Sequence, residues 1–421
     1  MFLYYLTKLK SKSLAVILYV FYFSIYNIPF GIGRINGQFQ IVSRIGDHVI
    51  DLDALQDIGI FVDDELPYGI FLGETLNEFI ELGKPVTNSI RFKIQKFCAD
   101  KTFASGFNYD FEDVFFDAKS VEMSLPVNIG DYSDFYSSKE HATNVGIMFR
   151  GVDNALMPNW LHLPVAYHGR SSSIVVSGTP IKRPKGQIPN KETGIPSFGP
   201  TKEMDIEVEM AFVIGKKTLL GDSIAAAKAE DYIFGMVLFN DWSARDIQRW
   251  EYVPLGPFLG KNFGSTISPW IVTMEALEPF RTSGPDKITE VLEYLVTEGD
   301  KSFDINISAS LQSSLGVETE ICKTNYKDLY WNPSQQLAHH TVNGCNMNIG
   351  DLLASGTISG ESPDSFGSLL ELSWNGTKPL QLNDGTTRTY LLDGDIVTLR
   401  GYAINGEIRV GFGEAIGQIV S

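Results

Sequence analysis

Histidine is scarce in this chain, six in 421 residues, and cysteine is scarcer, with three. Cys98, Cys322 and Cys345 lie far apart and show neither CxxC spacing nor an even-numbered framework, so reduced, buried thiols are the expectation and the cytosol the expected compartment. Positive charge is also in deficit. The 34 Lys and Arg residues against 51 Asp and Glu leave a net charge of −17, and phosphate recognition needs a cationic footprint, which argues against nucleic acid as a partner. Gly350 to Gly360 is glycine-bracketed but lacks GxGxxG or P-loop order, so nucleotide binding is not indicated. Internal repeats, coiled-coil heptads and low-complexity tracts are missing too.

The chain is rich in the ingredients of a folded, turn-rich protein: 43% hydrophobic residues, 39 Gly and 19 Pro. At this length two domains are the natural expectation. One stretch stands apart. Residues 1–26 carry Lys8, Lys10 and Lys12 ahead of an apolar run from Ser13 to Tyr26, which reads as a basic region followed by a hydrophobic one. It is short for a membrane span of about 20 apolar residues, and no small-x-small cleavage site follows. A signal or anchor and a non-native extension both stay open, and no membrane association is expected of the folded domains. From Arg34 to Ile60 short alternating segments read as a small β unit, and Thr75 to Glu78 has capping-box spacing ahead of a helix. Pro85, Val86, Ile90, Ile94 and Phe97 mark a second, amphipathic helix. The expected boundaries are thus an extension at 1–26, an α/β module at 27–124, and a β-rich domain at 125–421. Within the last, helices are expected at Asp222 to Ala229 and Asn332 to Asn343, and hairpin turns at Asp384-Gly385 and Asn405-Gly406.

Candidate chemistry begins at Asp131-Tyr-Ser-Asp-Phe-Tyr-Ser-Ser-Lys-Glu-His141, which gathers two phenols, an imidazole and several carboxylates. His141 is a candidate proton carrier, with a surface histidine in a polar turn as the alternative. From Met204 to Phe212, period-two alternation puts Asp205, Glu207 and Glu209 on one strand face. Three acids in a row repel unless solvated or sharing a cation, so the strand is a wet ladder or a metal platform. Glu207 and Glu209 are about 6.6 Å apart along a strand, and two such side chains can converge on one ion. Asp241 ends the apolar run Ile233 to Phe239, either as a site residue or as a helix cap near Trp242. Lys261 lies between glycines, and Glu371, flanked by leucines, needs a partner if buried, for which a catalytic histidine and a salt bridge compete. His168, His339 and His340 read as structural.

Together, the segments Asp131 to Ser138, His141 to Arg150, Asn159 to Pro164, Asn240 to Asp246 and Leu352 to Gly360 resemble motifs of the fumarylacetoacetase family, over roughly Asn27 to the C-terminus. The resemblance implies a mainly β fold with some α: a small N-terminal SH3-like β-barrel module and a large C-terminal mixed β-roll, assembled as a homodimer in the cytoplasm. It implies a divalent cation on Asp134, Glu207, Glu209 and Asp241, and an all-oxygen set suits Ca²⁺ or Mg²⁺ over zinc. Lys261, by its backbone, and Ser265 would belong to a second magnesium position; Ser265 stands where the family more often has threonine. The implied reaction is hydrolysis of the carbon–carbon bond of 4-fumarylacetoacetate to fumarate and acetoacetate, the last step of tyrosine and phenylalanine catabolism. His141 would be the base and Glu371 its orienting partner, with Arg245, Gln248 and Lys261 as oxyanion donors. Tyr136, Arg150, Tyr167, Gln248, Tyr252 and Thr357 resemble the family's substrate contacts. The rivals are a decarboxylase or hydratase of the same superfamily acting on 2-oxo acids, and a non-catalytic cation-binding protein.

Overall fold

The computed structural model describes residues 23–190 and 192–421, so most of the apolar segment read in residues 1–26 lies outside the described residues. The described part is mostly β with some helix and divides into two compact units: residues 23–128 with 269–280 and 402–413, and residues 129–268 with 281–401 and 414–421.

The first unit is built on an antiparallel meander of the SH3-like kind. Strands β1 (Phe30–Ile35), β2 (Gln38–Ile45), β3 (His48–Asp51), β4 (Phe115–Asp117) and β5 (Glu122–Ser124) lie in the order β4-β3-β2-β1-β5. Asn36 and Gly37, both at positive φ, make the tight turn between β1 and β2. Ile35, Val42 and Val49 pack with Phe23, Val121 and Trp270, so the described chain is already core at its first residue, Phe23. Helix α1 (Lys84–Ala99) buries Thr87, Ile90, Ile94 and Phe97, a stripe at three- and four-residue spacing, as its sequence pattern predicts. The capping box expected at Thr75 does not form. The short helix there runs Asn77–Glu81 behind Leu76, which offers no side-chain cap, because Leu76 is instead fully buried and its N–H donates to Pro126 O at 2.8 Å.

The second unit carries two larger sheets. One has strands Glu318–Asn325, Asn306–Gln312, Ile396–Asn405, Ile408–Val420 and Ile181–Lys182 in that order, and the turn read from sequence at Asn405-Gly406 joins the third and fourth, within the residues 402–413 counted with the first unit. The other positions the site. Its strands are β6 (Tyr132–Phe135), β7 (Ala166–His168), β8 (Ile174–Val176), β9 (Val208–Ile214), β10 (Ile233–Asp241), β11 (Ser265–Ile267) and β12 (Leu352–Ala354), ordered β7-β6-β12-β9-β10-β11-β8. All residues of β9 and β10 are buried, so their runs of Val, Ile, Met and Phe meet protein on both faces. The wet-ladder alternative for Asp205, Glu207 and Glu209 is thereby overturned, since none of the three is more than 6% exposed.

Helix α2 (Lys139–Arg150) starts at Ser138, whose Oγ accepts from His141 N–H. It packs so closely that a Cβ on Gly146 would lie 1.8 Å from Ala155 O. Trp160, Tyr330 and Trp331 close the core around Ala142 of this helix. Later in the chain, the helix read at Asn332 runs Pro333–Thr341 behind a complete Asn332–Gln335 capping box, whereas Ala226–Tyr232 winds as 3₁₀ rather than as the α-helix expected from Asp222. Because the carbonyl facing Gly146 is backbone and cannot swing aside, Gly146→Ala is expected to cost on the order of 1–3 kcal/mol, seen as a lower midpoint in chemical denaturation.

Candidate active site

Sheet register places the acids. Asp134 on β6 pairs with Tyr167 on β7, and Asp241, the last residue of β10, pairs with Ser265 on β11. Glu209 is on β9 opposite Phe239, and Glu207 precedes that strand in a bridge to Ser368. Asp241 is therefore no helix cap; the helix that follows, α3 (Arg245–Glu251), begins after Ala244. The outcome is a buried cluster in which Asp134, Glu207, Glu209 and Asp241 each bring a carboxylate oxygen within 4.8 Å of the others.

Few donors serve these oxygens. Lys261 Nζ lies 2.6 Å from Glu207 Oε2 and 2.7 Å from Asp241 Oδ2, and Ser265 Oγ donates to Asp241 Oδ1 at 2.8 Å. Tyr167 Oη sits 2.9 Å from both Asp134 Oδ2 and Asp241 Oδ2, one hydroxyl proton between two carboxylates. Gly356 N–H donates to Glu209 Oε2 at 3.0 Å, and this close approach requires a glycine, for Gly356 has φ +74° and a Cβ there would meet Phe135 O. Asp134 Oδ1 and Glu209 Oε1 remain buried with no hydrogen-bonding partner among the described residues.

The electrostatics follow from this shortage. Burial, with the charge of Asp241, pushes Asp134 well above the usual carboxylate range, and burial with the charge of Asp134 does the same to Glu209. Burial presses Glu207 upward too, but Lys261 and Arg245 outweigh it and hold that carboxyl low. Two orphaned oxygens, both on groups whose charge is poorly compensated, fit a divalent cation with oxygen ligands.

The imidazole belongs to a second constellation. His141 is 3% exposed and its Nδ1 is 2.6 Å from Glu371 Oε2. Glu371 lies on the short helix α4 (Leu369–Leu372). Its carboxylate also accepts from Ser359 Oγ at 3.0 Å, Ser368 Oγ at 2.8 Å and Asn144 Nδ2 at 3.0 Å. Burial alone would raise Glu371, yet the His141 ring and these donors hold it below its ordinary value, so it is an anion. Of the two partners left open for Glu371, the structure selects the histidine. Asn144 was not singled out from sequence, although its three-residue spacing from His141 on one helix is a readable signal.

Arg245 donates from Nε to Asp205 Oδ2 at 2.7 Å and pairs through Nη1 with Glu207 Oε1 at 2.7 Å and Gln248 Oε1 at 3.2 Å. Its Nη2 is buried without a partner. A cavity of about 530 Å³ is lined by Asp134, Tyr136, His141, Arg150, Tyr167, Glu207, Arg245, Gln248, Tyr252, Lys261 and Thr357. Tyr136 meets the His141 ring edge-to-face, Thr357 Oγ1 is a further buried atom without a partner, and Tyr252 is half exposed. Arg150 spends Nε and Nη2 on the carbonyls of Asn154 and Ala155. Glu209, Asp241, Ser265 and Glu371 stand behind this wall. His340 bonds Ser133 Oγ and His339 bonds the Tyr294 hydroxyl, in line with structural roles.

The cluster generates a stability prediction. In the presence of chelator, Glu209→Gln should melt at the temperature of the parent chain or above it, because it removes a charge the site compensates poorly. Added divalent cation should raise the melting temperature of the parent far more than that of the variant, by the equivalent of about 2.7 kcal/mol at a hundredfold excess over Kd; calorimetric melting checks both.

Comparison with known proteins supplies the family. The family model described as "Fumarylacetoacetase N-terminal" matches residues 26–126, and that described as "Fumarylacetoacetate (FAA) hydrolase C-terminal" matches residues 132–420. The chain is 51% identical over 407 residues to a fumarylacetoacetase of Dictyostelium discoideum, covering 95% of each chain. It is 49% identical over 402 residues to that of Homo sapiens, covering 94% of this chain and 96% of the human one. Among solved structures, a fumarylacetoacetate hydrolase from Exiguobacterium antarcticum shares the fold at a TM-score of 0.52 and 16% identity, covering 94% of this chain and 99% of its own. With both family models matched end to end and half of its residues shared with such relatives, this chain belongs to the fumarylacetoacetase family.

Proposed function

We propose that this chain hydrolyses the carbon–carbon bond of 4-fumarylacetoacetate to fumarate and acetoacetate, the closing step of tyrosine and phenylalanine catabolism. The observation that carries the reading is a buried histidine–carboxylate pair in which His141, with Glu371 behind it, lines the same cavity as Arg245, Lys261 and the clustered carboxylates Asp134 and Glu207. Near 50% identity to fumarylacetoacetases over almost the whole chain supports the substrate.

The chemical difficulty is a carbanion leaving group. Asp134, Glu207, Glu209 and Asp241 would hold Mg²⁺ or Ca²⁺, which when bound supplies Lewis-acid polarisation of carbonyl oxygens. With Nδ1 committed to Glu371, His141 has Nε2 left to take a proton from water as the oxygen adds to the ketone beside the double bond. Glu371 keeps the ring in that tautomer and balances the imidazolium. Arg245, through its unpartnered Nη2, with Gln248 and Lys261, donates to the oxyanion, worth on the order of 3 kcal/mol for a well-aimed donor. As the carbon–carbon bond breaks, the electron pair leaves on the methylene carbon, and the proton held by His141 completes acetoacetate while the hydroxylated carbonyl becomes the new carboxylate of fumarate.

Tyr136, Tyr167, Tyr252 and Thr357 contact the substrate in this reading, and Arg150 offers its remaining donors to a carboxylate. Lys261, by its backbone, and Ser265 serve a second magnesium position. Residues 125–421 make up the catalytic domain and 27–124 an accessory one, in a cytoplasmic homodimer.

His141→Ala should lower kcat by about 10²–10⁴-fold while substrate is still bound, measured by loss of the diketone absorbance; an unchanged kcat removes the base role. Exhaustive chelation should abolish turnover, with Mg²⁺ or Ca²⁺ restoring it and neither form decarboxylating oxaloacetate; full activity in chelator would overturn the metal assignment.

A further inference from the structure

Asp205 begins the acidic series of its strand but is not one of the four clustered carboxylates. Met204 and Asp205 pair with Ala244 and Ser243, Ile206 interrupts the strand, and Val208 resumes opposite Asn240 in the same register, with Glu207 between them bridged to Ser368. Asp205 is fully buried, and both its oxygens are saturated. Oδ1 accepts the N–H groups of Ile206 and Leu369, each at 2.7 Å; Oδ2 accepts Leu370 N–H at 3.0 Å and Arg245 Nε at 2.7 Å. One carboxylate thus ties the Arg245 guanidinium to the first turn of α4, the helix that presents Glu371 to His141.

The consequence is geometric. Arg245 has a second anion within reach, Glu207 at 2.7 Å from Nη1. Asp205 holds Nε while Glu207 holds Nη1, so Nη2 is not drawn into a two-pronged grip on Glu207 and stays buried without a partner among the described residues. At its other end the same anion satisfies two helix-start N–H groups that would otherwise be orphaned, which fixes the backbone directly preceding Glu371. We propose that Asp205 is a positioning residue that sets the distance between the oxyanion donor and the histidine–glutamate base, an inference that rests on the functional reading above.

Asp205→Asn keeps the shape but turns one acceptor into a donor, so either the bonds from Ile206 and Leu369 or those from Leu370 and Arg245 are lost. Its kcat should fall about 100-fold, the scale set by a misplacement of roughly 1 Å, with KM and divalent-cation affinity by calorimetry each within about threefold of the parent. In an Arg245→Met or Glu371→Gln background the same change should cost less than about threefold, because residues acting as one unit do not add. A kcat within threefold of the parent, or a full 100-fold cost repeated in both backgrounds, overturns the proposal. If Asp205→Asn does not fold, Asp205→Glu carries the test: it keeps the charge, displaces the carboxylate, and should show the same loss confined to kcat. A parent chain without turnover of fumarylacetoacetate removes the functional reading and this inference together; an active parent with an unimpaired Asp205 variant removes only the inference.

Discussion

Four carboxylates held out of water within 4.8 Å of one another impose the constraint around which the catalytic unit is built. At an effective dielectric near 20, two unit charges about 4 Å apart repel by about 4 kcal/mol, and each buried anion also loses its hydration. The polypeptide answers with one ammonium, one guanidinium shared with Asp205, one serine and one tyrosine hydroxyl, and the Gly356 N–H, which together leave two oxygens unserved among the described residues. That incompleteness is the chemical character of the site. A cluster fully paired by protein donors would have no use for a cation.

The His141 imidazole has a carboxylate partner of its own outside the cluster. Glu371 accepts from His141, Asn144, Ser359 and Ser368, so it stays ionised and its orientation is set from several directions. Ser138 fixes where the helix begins, three residues before His141, and the close approach at Gly146 fixes how deeply that helix sits. Two anionic systems therefore lie in one unit, one made of the four clustered carboxylates and the other of the His141–Glu371 pair. Arg245 bridges them through Asp205 on one edge and Glu207 on the other.

Much of this was legible from residue order. Apolar spacing located the helix of residues 84–99, the Asn332–Gln335 box located the start of another, and Asn405-Gly406 located a hairpin, because in each case the deciding interaction lies within a few residues. Where a distant partner decides, the pattern misleads. Thr75 has capping-box spacing, but burial of Leu76 and its bond to Pro126 set the helix start. Period-two alternation put Asp205 on one face with Glu207 and Glu209, and Asp205 and Glu207 do share Arg245, but only the fold gives Asp205 to the 369–372 helix and leaves it out of the cluster.

By itself the amino-acid order determined which groups are available: a lone imidazole ahead of an apolar helix, two glutamates one strand repeat apart, an excess of acid with no thiolate pair, and motifs that place the chain in a family. Tertiary structure alone decided which of those groups meet. His141 and Glu371 are 230 residues apart, and Asp134, Glu209 and Asp241 arrive on three strands whose neighbours are set by sheet order. The physical reason is range: local propensity acts over a turn or a hairpin, whereas the balance of buried charge is struck only when the whole sheet has closed around it.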